Sequence, residues 1–155
     1  MTTSPTLDAL LPEDVARKAE ALGVAKARRD LVSLLTLSVL AGAFIALGAM
    51  FSTVVATGLP DALPLGLSRV LPAIAFSLGL ILVVVCGAEL FTGDVLMVIA
   101  WASRQLSVGT MLRAWAIIVI GNLVGGVGTA LIVFWSDQWM LGNGEVGATA
   151  LEIAA

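Results

Sequence analysis

A chain of 155 residues that is 59% hydrophobic and only 12% charged is excluded from the ordinary soluble domains, whose charged share is about twice as large. Its mean hydropathy of +1.06 makes the bilayer its solvent. The net charge of −3 says little by itself, because charge position matters more than its sum in such a chain; no nucleic-acid-binding surface is suggested, and a single cysteine, Cys86, rules out an internal disulfide and reads as packing filler.

Residues 1–5 read as an irregular start. No cleaved leader is expected, because Asp8, Glu13 and Asp14 come first and the apolar run from Leu31 is too late and too long. From Leu11 to Gly23, proline and acids at the entry and glycine at the exit predict a short helix, with Leu11, Val15, Ala19 and Leu22 on one face. Such a helix lies on the membrane surface or on the protein body, or is a plain solvated lead-in.

Three membrane elements follow. The first, 31–57, is uncharged and ends at the turn signal Gly58-Leu59-Pro60-Asp61. The second covers about 70–103. As one straight helix, Val70 to Ala102 would rise roughly 50 Å, against a hydrocarbon core of about 30 Å. Near its middle stands Gly87-Ala88-Glu89-Leu90-Phe91-Thr92-Gly93-Asp94, with two glycines and two carboxylates. Facing lipid, these would carry a heavy penalty, so the spacing predicts a span broken near 87–93, its unwound part buried or lining a cavity. The third element is 114–135, and a further helical pattern starts at Val146. The domain organisation expected is thus a cytoplasmic segment with its helix over 1–30 and a membrane domain over 31–155.

Of the eight basic residues, Arg17, Lys18, Lys26, Arg28 and Arg29 precede the first span, and Arg104 and Arg113 flank the next cytoplasmic loop. Arg69 alone lies opposite. This bias places the N-terminus in the cytoplasm. Trp101, Trp115, Trp135 and Trp139 fall near span ends, where indole rings favour the interface. Gly42, Ala46 and Met50 at four-residue spacing, with Gly121 and Gly125, predict close helix packing, and Asn122 beside them is suited to a hydrogen bond across a helix pair.

Glu89 and Asp94 are the only acids between Asp61 and Asp137. They read either as a proton relay or cation site or as structural groups. Asp94, in the first turn of the second half-helix, suits a cap of its free N–H groups. Glu89 ends the preceding half-helix, where a bare carboxylate is misplaced, so it requires a proton or a donor from outside the segment. Leu90 and Phe91 form an apolar constriction, with the Thr92 hydroxyl and nearby N–H groups meeting a small anion, or else they fill the bundle core. No metal-ligand cluster and no nucleophile with a base beside it is present, so neither enzymatic activity nor a cofactor is expected.

The stretch Ser77-Leu78-Gly79-Leu80 through Gly87-Ala88-Glu89-Leu90-Phe91-Thr92-Gly93-Asp94, with Ala41-Gly42-Ala43-Phe44-Ile45-Ala46-Leu47-Gly48 before it and Gly121-Asn122-Leu123-Val124-Gly125 after it, closely resembles the formate/nitrite transporter family. The resemblance covers nearly the whole chain. It implies an all-α membrane protein in which three spans, the second interrupted, make one inverted-repeat half of an aquaporin-like six-span fold. It further implies a pentamer in the inner (plasma) membrane, with one pore per protomer, passing a small monovalent anion such as formate or nitrite, alone or with a proton. Leu80, Leu90, Phe91 and Thr92 would line the pathway, and Glu89, Gly93 and Asp94 would shape the loop, Glu89 partnered by a lysine from the second half. Family members carry a central histidine on the fifth span; this chain has no histidine and three spans, and is expected to be truncated after the first repeat. The competing reading is a non-conducting membrane scaffold or accessory subunit.

Overall fold

The computed structural model describes residues 11–155, so the start expected over residues 1–5 lies outside it. Eight α-helices are described: α1 Pro12–Ala27, α2 Leu31–Ala56, α3 Leu59–Ala62, α4 Leu65–Cys86, α5 Phe91–Asp94, α6 Met97–Ala102, α7 Val108–Trp135 and α8 Glu145–Ala154. Among them α2, α4 and α7 are long and apolar enough to cross a membrane. At about 1.5 Å per residue each exceeds the roughly 30 Å hydrocarbon core.

Capping sets where the first and last of these begin. The Asp30 carboxylate accepts the Ser33 N–H at 2.9 Å and starts α2, while Ser107 accepts from Thr110 and starts α7 at Val108, ahead of the charge-free run at Ala114. α4 opens at Leu65, behind Pro64, so that Arg69 lies inside its second turn. Charge alone therefore marks where a span is apolar, and the caps mark where the helix starts.

α2 is the central helix, packed against α7 on one side and α4 on the other. The α7 crossing is glycine-lined: Gly42 abuts the backbone of Asn122, Gly121 abuts Ser38, and Gly125 abuts Val39. A second crossing, which the glycine spacing did not single out, joins α2 to α4. There a Cβ on Gly79 would stand 2.7 Å from the Phe44 carbonyl oxygen, and one on Gly48 2.9 Å from that of Phe76. Backbone-to-backbone approach of this kind gives dispersion contact where lipid leaves little hydrophobic drive between helices. Of the other small-spacing positions, Ala46 and Met50 line an apolar cleft between α2, α7 and α8.

α1 docks through a face other than the one its apolar residues suggest. Leu11, Val15 and Leu22 are exposed, whereas Gly23 and Ala27 are buried against α6, where a Gly23 Cβ would meet Ala100 at 3.3 Å. Glu20 fastens the same face, accepting from the Ser103 hydroxyl and from Gln105 Nε2. The core near this face joins Ala27 and Leu34 to Met97, Ala100, Met111, Ala114 and Ile118. Cys86 is exposed in the last turn of α4, so among the described residues it packs against no core.

Gly79→Val should lower stability by about 1–3 kcal/mol, since the Phe44 backbone cannot move aside as a side chain would. Gly109→Ala, where a Cβ meets nothing within 4 Å, should leave it unchanged or slightly raised. Melting of the detergent-purified protein compares the two.

Candidate functional site

The second span breaks where the glycine-rich segment lies. Gly87 ends α4 in the left-handed region, at φ +60°, which glycine adopts without penalty. Its N–H and that of Ala88 bond back to Val84 O and Val83 O, closing the helix. The chain then runs extended through Leu90 (φ −99°, ψ 127°) before α5 begins at Phe91.

Stripped of their ladder, the elbow's polar groups find partners on other helices. Glu89 N–H donates to Leu37 O of α2 at 3.2 Å. Asn122 of α7 uses both ends of its amide. Its Oδ1 accepts the Phe91 N–H at 2.9 Å, and its Nδ2 donates to Glu89 O at 2.9 Å and to Ser38 O at 2.8 Å. One side chain thus ties both sides of the break to α2. Among the described residues, the N–H groups of Leu90 and Thr92 have no hydrogen-bond acceptor.

The two carboxylates are fully buried and share one cation from α1. Lys26 Nζ donates to Glu89 Oε2 at 2.6 Å and to Asp94 Oδ1 at 2.7 Å, and Arg29 Nη1 stands 3.2 Å from Glu89 Oε1. Two acids face two bases, so the cluster is near neutral. Burial works to lower the Lys26 pKa, but its hydrogen bonds to Asp94 and Glu89 and their charges outweigh burial and hold it above the usual lysine range. The ammonium therefore contributes stability in full below that usual range and loses it only as pH climbs through the higher folded value. Asp94 Oδ2 is buried without a hydrogen bond among the described residues, and Asp94 lines, with Lys26 and Gly93, a cavity of about 170 Å³ large enough for water.

These contacts bear on three readings of the residues. Within this chain Glu89 pairs with Lys26 of α1 and with Arg29 of the turn that follows it, partners that the sequence reading did not name. Asp94 does not cap the half-helix through its side chain; its carboxylate turns to Lys26. Gly93 is helical with open space around it among the described residues, and it is Gly87 that makes the turn.

The remaining candidates lie around the elbow. Leu80 is exposed on α4, Leu90 is half-buried against Ala41, Val83 and Ala88, and Thr92 is exposed on the first turn of α5. Phe91 is half-buried: part of it packs against the cluster that includes Met97 and Ile118, and its ring meets that of Trp115 edge-on at a centroid distance of 5.9 Å and 78°. Trp115 is not an interface anchor: it is half-buried, and its indole N–H donates to Asp94 O at 2.9 Å. Among the described residues no group of three metal-ligating side chains occurs.

The sequence profile of the formate/nitrite transporter family matches residues 13–155. The chain belongs to that family. It is 38% identical over 154 residues to the formate channel FocA of Escherichia coli K12, covering 99% of this chain and 54% of that protein. It is 34% identical over 146 residues to a probable formate transporter of Methanothermobacter thermautotrophicus, covering 89% of this chain and 53% of that one. A solved pentameric formate channel with formate bound superposes with a TM-score of 0.67 at 34% identity, over 92% of this chain and 50% of that chain. The chain thus spans about half the length of these formate/nitrite transporter relatives.

The sequence reading missed Lys26 and Arg29 as site residues because it counted them only as topological charges. Trp115 carried a usable signal: it precedes Asn122 by seven residues, two turns along one face of α7.

Lys26→Met should cost about 3–5 kcal/mol, because it strands the buried Asp94 carboxylate and leaves Glu89 with Arg29 alone. Adding Glu89→Gln and Asp94→Asn should restore much of that loss; thermal melting of the single and triple variants measures both. Asn122→Ala strands a donor and two acceptors, while Asn122→Asp keeps only the acceptor for Phe91. Both should therefore raise amide exchange over residues 88–92, the alanine variant more, as read by hydrogen–deuterium exchange.

Proposed function

We propose that this chain supplies part of the wall of a pathway for a small monovalent anion of the formate or nitrite type, one pathway in each protomer of a pentamer. The observation that carries the reading is the elbow. It sets free hydrogen-bond donors beside apolar side chains at membrane depth, in a chain whose relatives include formate channels. Leu80, Leu90 and Phe91 form the narrowing, which strips water from the passing ion. The Thr92 hydroxyl and the N–H groups of Leu90 and Thr92 return part of that lost hydration. The anion crosses alone or with a proton.

Neutralisation of the acids is what makes an anion acceptable here. Bare carboxylates at Glu89 and Asp94 would repel a monovalent anion at short range in a low-dielectric setting, and Lys26 and Arg29 cancel that field. The seven-to-one distribution of basic residues supports a multi-pass protein of the inner membrane with its N-terminus and α1 on the cytoplasmic side. The domain division into a cytoplasmic segment over 1–30 and a membrane domain from 31 onward follows from it.

Flux into liposomes carrying the full gene product that contains these spans tests the reading. Formate and nitrite should enter, with Thr92→Ala slowing entry about tenfold, the equivalent of one hydrogen bond of roughly 1.4 kcal/mol. Phe91→Ala should admit larger monocarboxylates. Absence of flux, or flux indifferent to both substitutions, would reject transport and leave a non-conducting scaffold.

A further inference from the structure

We infer that Trp115 is a positioning residue for the anion pathway, fixing the ring of Phe91 and through it the width of the narrowing. The inference rests on the transport reading above and adds a residue to it. Two independent contacts from one side chain carry it.

The first contact is a hydrogen bond at a weak joint. Between α5 and α6 the backbone tightens: Val98 N–H bonds Val95 O at 3.1 Å and Ile99 N–H bonds Leu96 O at 3.0 Å, each three residues back and not four. At this joint the Trp115 indole N–H reaches Asp94 O at 2.9 Å, tying the end of α5 to α7. α5 is a single turn and holds little stability of its own, so its orientation depends on such external ties. The second contact is the edge-on packing of the same indole against Phe91, at the other end of that turn. Edge-to-face pairs of this kind are directional, so the indole restricts the tilt of the Phe91 ring as well as its location. Trp115 is itself seated on the long helix α7, half-buried against the cluster that includes Met97 and Ile118. A side chain that clamps both ends of a one-turn helix sets where its first residue projects.

The test is selectivity in liposomes carrying the full gene product, read as the ratio of acetate to formate flux. Trp115→Leu removes both contacts and should raise that ratio roughly threefold or more, since apertures discriminate by single carbon units. A merely structural tryptophan would lower both fluxes together and leave the ratio alone. On a Phe91→Ala background, Trp115→Leu should add nothing further, because its effect runs through the ring. Trp115→Phe, which deletes the N–H and keeps a ring in place, should raise the ratio by a smaller factor; it carries the test alone if the leucine variant does not assemble. An unchanged ratio in the variants that assemble overturns the inference, as does an equal rise with and without Phe91. Formate flux in the unaltered protein with a ratio indifferent to Trp115 removes this inference only, whereas no flux at all removes the transport reading and this with it.

Discussion

The bridge from Lys26 to Glu89 and Asp94 is the constraint on which the rest of this structure depends. Two carboxylates with no exposed surface stand at the break of the second span, and an uncompensated charge at such a place costs several kcal/mol. Their compensation comes from α1, more than sixty residues earlier in the chain. α1 is consequently docked onto α6, with Gly23 and Ala27 giving the close approach that brings Lys26 within reach.

The second condition is backbone satisfaction. An unwound segment at membrane depth needs its N–H and C=O groups to bond elsewhere or to face a cavity, and here α7 supplies most of the partners that are present. Asn122 holds the peptide groups before and after Leu90, and Trp115 holds the end of α5, two turns away on the same face. The glycines around Asn122 serve the same end: Gly121 and Gly125 let α7 approach α2 closely enough for a short amide side chain to reach both Ser38 and the elbow. Packing and site are therefore one device, and the small-residue stripe is what puts the amide in range.

The break itself was legible because its causes are local. An apolar run too long for the bilayer, two glycines and two acids in its middle leave few alternatives, and Gly87 adopts the left-handed turn that such a glycine permits. The α2–α7 seam was legible for the same reason, through its small residues at helical spacing. What escaped the sequence was long-range. Lys26 and Arg29 served as markers of the cytoplasmic side, a role that any basic residue fills, and nothing in their spacing points to Glu89. Trp115 fell under a general preference of indoles for interfaces, although a residue on the Asn122 face was bound to meet the elbow. The helix starts at Leu65 and Val108 were hidden behind polar residues that caps and snorkelling side chains tolerate. The side-chain role expected of Asp94 was electrostatically sound yet lost to a stronger partner.

A density map of the full gene product in lipid nanodiscs, at a resolution that shows side chains, addresses the central claim most directly. The account predicts an interrupted second span with an extended peptide after Gly87, and continuous density from Lys26 to both carboxylates at charge-assisted distances of about 2.7–2.9 Å. An unbroken helix through Glu89, or carboxylates turned to water or lipid with α1 detached, would contradict it.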